Sequence, residues 1–305
     1  MPVVPAVSPL NPAESEVSDV REIVLDAGHT QLSALLTQPR DTPPRAVVVA
    51  LHGGGMRAGY FHGEAHPSLS LLTLGARLGF TVLAVDRPGY GLSAAALPQG
   101  EDLAEQADTL HAALGDFTAE HSTGAGLFLV AHSYGGKVAL ATAARDAEAG
   151  GRLLGLDVSG ISHRCAIDVR ALGGFHGRRT TRLHWGPLQL YPPGTFRLAE
   201  RLVTAMPVRE EAEAVRRPDS FAAFAARVRV PVRFTYAEFE RWWLHDEATL
   251  KEMAGLLAAS RVVVDHLPRA GHNISLGWAA RAYHLRALAF LEECLTDRNH
   301  GRRGA

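Results

Sequence analysis

The segment Val130-Ala131-His132-Ser133-Tyr134-Gly135-Gly136 carries one serine between an apolar run and a helical pattern. The apolar run Leu127-Phe128-Leu129-Val130 predicts a buried strand, and residues 137–144 predict a helix. A sharp turn between the two would project Ser133 out of the sheet, and the small alanine and glycine two positions to either side leave room for it. The pattern therefore predicts a nucleophile elbow of the Gly-x-Ser-x-Gly type, with alanine in the first glycine position.

Length and composition favour a globular protein with a large core. At 305 residues it can form one large domain or a core domain with an insertion. The net charge of -1 gives no indication of nucleic acid or an anionic membrane as a partner, and no apolar run has the length of a membrane span. Cys165 and Cys294 are too few for a disulfide framework, and the proline-interrupted N-terminus does not resemble a secretion signal, so we expect a reducing, cytoplasmic location.

Strand and helix patterns alternate along most of the sequence. A hairpin is predicted from residues 21–25 and 32–36. Later strands are predicted at 46–51, 80–85, 127–131, 153–158, 230–236 and 261–266, and helices at 69–78, 102–114, 137–144, 247–257 and 278–295. This alternation predicts an α/β fold with a mainly parallel sheet covered by helices on both faces, and reactive groups at the carboxyl ends of the strands.

One long segment breaks the alternation. Residues 161–226 contain glycine and proline clusters with short helical pieces at 196–205 and 209–215, and we interpret them as a cap over the mouth of the sheet. The predicted core comprises residues 19–160 and 227–296. Residues 1–18 are predicted to be a flexible N-terminal arm and residues 297–305 a flexible tail.

A serine nucleophile needs a base, and the base needs an orienting acid. In the chain order serine, acid, histidine, the base falls on His272, in a loop after the last predicted strand. The acid falls on Glu240 or Glu238, two residues apart and expected to share one face. We prefer Glu240 for its spacing from the strand end, and Asp157, inside a strand, is a weaker third choice.

Backbone amides are predicted to form an oxyanion hole. The loop His52-Gly53-Gly54-Gly55 follows a predicted strand, and its glycines allow close approach to a substrate, so Gly54 is one candidate donor. Tyr134 is the other, because it follows the nucleophile at a helix N-terminus, where free N–H groups and the helix dipole favour an anion.

Four motifs in this order make the chain resemble the α/β-hydrolase family from about residue 19 to residue 295, the cap excluded. The motifs are His52-Gly53-Gly54-Gly55, Asp86-Arg87-Pro88-Gly89-Tyr90-Gly91, Ala131-His132-Ser133-Tyr134-Gly135-Gly136 and Gly271-His272. The resemblance implies Ser133 as nucleophile, His272 as base and an acid at Glu240. The chain departs from the family pattern by alanine for the first glycine of the elbow and by glutamate for the commoner aspartate.

The resemblance implies a serine esterase or thioesterase that acts on a small-molecule acyl substrate without a cofactor; no oligomeric state is assigned. The fold also hosts other reactions. Some members that resemble this chain, in bacterial polyketide pathways, eliminate an acyl group such as acetate. An acyltransferase and a non-catalytic ligand-binding protein are the remaining alternatives.

Several other residues have ordinary structural interpretations. His62 and His66 are four residues apart, but no further ligand pattern completes a metal site. Asp86 and Arg87 are expected to brace a strand-end turn. Trp185 and the pair Trp242-Trp243 either line a substrate pocket or pack in the core.

Overall fold

Eight strands form one sheet in the computed structural model, which describes residues 19–172, 178–216 and 221–303. The strands are β1 Arg21–Asp26, β2 Gln31–Thr37, β3 Val47–Leu51, β4 Thr81–Val85, β5 Leu127–His132, β6 Leu153–Ser159, β7 Val232–Phe239 and β8 Val262–Gly271. Their order across the sheet is β1-β2-β4-β3-β5-β6-β7-β8. Strand β2 is antiparallel to both of its neighbours, and all other pairs are parallel. The predicted mainly parallel sheet is confirmed.

Helices cover both faces of this sheet. They are α1 Leu71–Arg77, α2 Leu103–Glu120, α3 Tyr134–Glu148, α4 Arg178–Trp185, α5 Thr195–Ala199, α6 Val208–Arg216, α7 Phe221–Ala225, α8 Glu247–Gly255 and α9 Ala280–Arg303. Val47 and Val49 of β3 pack in the core that contains α2 and α3, whereas Val48 packs in the core that contains α1 and α9. Because side chains alternate along a strand, the continuous apolar run of β3 supplies both cores.

The ends of the helices depend on local capping. Asp102 accepts hydrogen bonds from the first amides of α2, and the Glu105 carboxylate accepts one from the Asp102 N–H, which forms a capping box. Helix α9 continues to Arg303, beyond the predicted end at residue 295 and into the predicted flexible tail. Arg261, which directly precedes β8, pairs with Glu293 at 3.0 Å and with Asp297 at 3.7 Å, one turn apart on α9.

The segment from 161 to 226 contains short helices, as far as the structure describes it. The predicted helical piece at 196–205 is shorter, because α5 already ends at Ala199, and the piece at 209–215 lies within α6. The predicted arm at 1–18 lies outside the described residues. Within the three described ranges, no helix is both long and apolar enough to cross a membrane.

Candidate active site

Ser133 lies at the tip of a strained turn between β5 and α3. Its φ of 52° and ψ of -124° are unusual for a residue with a side chain, and such a conformation costs on the order of 1–3 kcal/mol. The Ser133 N–H donates to the carbonyl of Ser159 at 2.8 Å, which ties the turn to the end of β6. A Cβ added at Gly135 would clash with the carbonyl oxygens of Leu51 and His52. The predicted elbow therefore has the strained geometry that exposes a serine hydroxyl.

Strand ends bring His272 and Glu240 to this serine. His272 follows β8, and its Nε2 lies 3.1 Å from the Ser133 Oγ, while its Nδ1 lies 2.7 Å from the Glu240 Oε2. In the tautomer that satisfies both partners, Nδ1–H donates to the carboxylate and Nε2 accepts from the hydroxyl. The His272 and Glu240 side chains are buried, so water competes little for these hydrogen bonds.

Glu240 is held as an acceptor from three sides. Besides His272, the backbone N–H groups of Arg241 and Trp242 donate to its Oε1 at 3.0 and 2.8 Å. Burial alone raises the pKa of the Glu240 carboxyl, but the charge and hydrogen bond of His272 and the Trp242 N–H outweigh it and lower this pKa overall. The carboxylate form is therefore the stable form beside the imidazole.

Glu238 does not share a face with Glu240, contrary to the expectation from their spacing. The pairing of β7 with β8 shifts register between Ala237 and Phe239, and the Glu240 N–H donates to the Ala237 carbonyl in a turn. Glu238 is consequently exposed and accepts from the Arg269 N–H at 2.6 Å. The bulge and the turn together direct Glu240 into the interior and leave Glu238 at the surface.

Asp157, the third candidate acid, belongs to a different network. It is fully buried on β6 and pairs with Arg233 of β7, which also pairs with Asp265 of β8. These side chains link three neighbouring strands. Asp157 therefore has a structural partner of its own, and the structure does not bring it to His272.

The loop after β3 lies beside the serine. Gly54 and Tyr134 both line the cavity that contains Ser133, and Tyr134 begins α3, so its N–H has no acceptor inside the helix.

Burial and the charge of Arg87 lower the pKa of His52 to about 3, so this histidine is neutral. Its Nδ1–H donates to the Gly53 carbonyl at 2.8 Å, and its Nε2 accepts from the Arg87 N–H at 3.0 Å. The second of these hydrogen bonds connects the loop to the turn after β4.

The cavity over Ser133 has a volume of about 200 Å³. Core and cap residues line it together, and all three tryptophans named from the sequence are among them. Its large apolar side chains include Met56, Trp185, Met206, Trp242 and Trp243. Among the described residues that line the cavity, Lys137 is the only lysine or arginine. It lies on α3, one turn after the serine, and its ammonium group lies over the rings of Tyr134 and Trp243.

Three side chains of this site have no clear signal in the sequence. His132 is buried with its ring centroid 4.6 Å from that of His272, and His184 comes from α4 in the cap segment. Glu210 of α6 pairs with Arg87 in the interior. Arg87 was expected only to brace its turn, and a partner 123 residues away along the chain leaves no local pattern.

Histidines outside the site have local partners. His62 Nδ1 lies 2.8 Å from the Ser70 Oγ, and His66 Nδ1 lies 2.8 Å from the Ser68 Oγ. Neither lies in a regular α-helix. Among the residues that the structure describes, no group of three or more His, Cys, Asp or Glu side chains is placed to hold a metal ion.

Comparisons with known proteins agree on the fold. Residues 48–285, more than half of the chain, match a family described as the alpha/beta hydrolase family. A highly thermostable carboxyl esterase from Bacillus coagulans is 17% identical with a TM-score of 0.65, covering 90% of this chain and 99% of that one. Proline iminopeptidase from Mycobacterium smegmatis is 17% identical with a TM-score of 0.61, covering 91% and 100%. A thermophilic esterase from Thermogutta terrifontis is 18% identical with a TM-score of 0.56, covering 90% and 99%. Such identities show the fold alone, and none of the curated proteins is a significant match.

Proposed function

Because this chain belongs to the alpha/beta hydrolase family, we propose that it is a serine hydrolase that cleaves an ester or a thioester through an acyl-enzyme. One observation carries the proposal: the line of hydrogen bonds from Ser133 Oγ to His272 Nε2 and from His272 Nδ1 to Glu240 Oε2. The strained turn that presents the Ser133 hydroxyl also supports the proposal. An ordinary serine at a helix start needs neither the strain nor the buried base.

The proposed reaction has two half-reactions. His272 Nε2 takes the proton of Ser133 as its Oγ attacks the carbonyl carbon, and the amides of Gly54 and Tyr134 donate to the oxyanion that forms. Collapse of the intermediate expels the alcohol or thiol, which leaves with the proton from His272. The histidine then deprotonates a water molecule, which attacks the acyl-enzyme and releases the acid and the free serine.

The lining of the cavity supports a substrate with an apolar part next to the reacting carbonyl. Trp185, Met206 and Trp242 supply apolar surface around Ser133, as the apolar and aromatic side chains of small-molecule sites do. We propose that residues 161–226 act as a cap that selects this part, since Trp185 and Met206 belong to that segment.

The test is a screen of p-nitrophenyl esters and acyl thioesters of increasing chain length. We expect turnover of at least one series, and we expect Ser133→Ala to lower kcat by about 10⁵-fold or more while its melting temperature stays near that of the wild type. Mass spectrometry of the products checks the reaction type. An acid and an alcohol or thiol support hydrolysis, whereas an alkene or a transferred acyl group, or undiminished turnover by Ser133→Ala, would contradict it.

A further inference from the structure

A buried ion pair joins the cap segment to the core beneath the site. Arg87, in the turn after β4, and Glu210, on α6, are both fully buried. Their contact is bidentate, with Arg87 Nη1 donating to Glu210 Oε2 at 2.6 Å and Nη2 donating to Oε1 at 2.9 Å. This fork geometry fixes the guanidinium plane as well as its distance from the carboxylate.

The same guanidinium holds the loop after β3. Its Nε donates to the His52 carbonyl at 2.8 Å and its Nη2 to the Gly53 carbonyl at 3.1 Å. Its Nη1 also donates to the Gln106 side chain at 2.6 Å. With the two bonds to Glu210, all five N–H donors of Arg87 are used. The Tyr134 ring stacks on the guanidinium, with the Arg87 Cζ 5.2 Å from the ring centroid.

Glu210 reaches the loop by a second path. The Tyr90 hydroxyl donates to Glu210 Oε1 at 2.7 Å and accepts from the Gly55 N–H at 3.0 Å. A Cβ added at Gly54 would lie 3.4 Å from the same carboxylate oxygen, so the carboxylate packs against this glycine. All four residues of the loop, His52 to Gly55, therefore contact this ion pair directly or through Tyr90.

Arg87 and the His52 Nδ1–H, which both donate to the Gly53 carbonyl, set the direction of the next amide. In a trans peptide the C=O and the next N–H point to opposite sides, and the described backbone contains no cis peptide. Because the Gly53 carbonyl points to Arg87, the Gly54 N–H points away from Arg87. Gly54 also lines the cavity that contains Ser133.

We propose that Glu210 and Arg87 are positioning residues that hold the Gly54 amide as an oxyanion donor, so that a residue of the cap segment sets the activity of the core. The proposal rests on the serine hydrolase function proposed above. Neither side chain lines the cavity, so both act through the loop. Loss of the pair leaves the Gly53 carbonyl with only the hydrogen bond from His52, so the Gly53–Gly54 peptide is held less tightly, which weakens transition-state binding more than substrate binding.

The experiment measures kcat, KM and the inhibition constant of phenylboronic acid, which forms a tetrahedral adduct with an active serine. The variants are Glu210→Gln, the double variant Arg87→Met with Glu210→Leu, and the control Glu213→Gln, which removes the same charge from α6 three residues away. The double variant leaves no unpaired charge in the interior, so it separates positioning from the instability of a lone buried guanidinium.

We expect Glu210→Gln and the double variant to lower kcat by about 10- to 100-fold with little change in KM, and to weaken phenylboronic acid binding by a similar factor. The double variant should regain melting temperature relative to Glu210→Gln but not kcat, and Glu213→Gln should resemble the wild type. Unchanged kcat and inhibition in a folded variant, or failure of both variants to fold, would overturn the positioning role. A wild type without any turnover of esters or thioesters would instead refute the proposed function itself.

Discussion

Glu240 is the residue whose charge the proposed chemistry depends on most. When His272 takes the serine proton it becomes an imidazolium in a buried site, and a lone buried cation is strongly unfavourable. The carboxylate, whose pKa is lowered by its partners in spite of burial, compensates that cation at 2.7 Å. It also selects the tautomer that leaves Nε2 free to accept from Ser133.

Replacement of this carboxylate tests its role against that of its neighbour. We expect Glu240→Gln to lower kcat by about 10³- to 10⁴-fold, because the amide neither compensates the imidazolium nor enforces the tautomer. Glu238→Gln is the matched control and should keep nearly full kcat, since Glu238 is exposed and bonds only to the Arg269 N–H among the described contacts. Equal losses in steady-state kcat for the two variants would contradict this assignment.

The sequence predicts the identity of the triad residues better than their geometry. The order of motifs is enough to single out Ser133 and His272, because each follows a recognisable strand pattern. The choice between Glu238 and Glu240 depends on a register shift in β7 and a turn after it. That bulge comes from pairing with β8, which no local pattern encodes.

The close approach of helix α3 to strand β3 decides whether the elbow can form. Gly135, on the first turn of α3, lies against the carbonyl oxygens of Leu51 and His52, so any side chain there would push the helix away from the strand end. Gly115, inside α2, has no atom within 4 Å of a Cβ added to it. A side chain is therefore excluded at Gly135, whereas there is open space for one at Gly115.

This contrast gives a stability prediction. Gly135→Ala should lower the free energy of unfolding by about 3 kcal/mol, because the new methyl group overlaps rigid backbone atoms. Gly115→Ala should raise it by about 0.5–1 kcal/mol, because alanine loses less conformational entropy than glycine in a helix. Urea denaturation of both variants measures the difference, and a Gly135→Ala protein as stable as the wild type would show that the close approach is wrong.

Elements that carry their own signals were predicted well, and those held by distant partners were not. The continuous apolar runs of β3, β4 and β5 are readable from the sequence. Helix α9 runs past its predicted end, and Asp297 in this extension pairs with Arg261, which is distant in the sequence. Such tertiary contacts are not visible in the local pattern of the sequence.

For the whole molecule, buried neutral histidines couple folding to pH. Burial lowers the pKa of His52 and of His284 to about 3 from an ordinary value of 6.5. Between pH 6.5 and 3 the unfolded chain therefore binds more protons than the folded one. The stability that these groups contribute is fully present above pH 6.5 and is lost as the pH falls through this window.

We expect the free energy of unfolding to fall below pH 6.5, with each such histidine adding a slope of up to about 1.4 kcal/mol per pH unit. His284→Gln should remove one such increment from the slope, whatever its effect on stability at neutral pH. His66→Gln, at an exposed histidine, is the control and should leave the slope unchanged. Denaturant melts from pH 7.5 to 4.5 measure this, and identical slopes for wild type and His284→Gln would refute the prediction.

If Ser133 is an activated nucleophile, it should react covalently with a fluorophosphonate. Treatment of the folded protein with a fluorophosphonate, followed by intact-mass and peptide mass spectrometry, should show one adduct per chain on Ser133. Ser133→Ala should remain unlabelled, and Glu240→Gln should label much more slowly, because the His272 base then lacks its carboxylate partner. A folded wild type that gains no adduct, or gains it on another residue, would contradict the account.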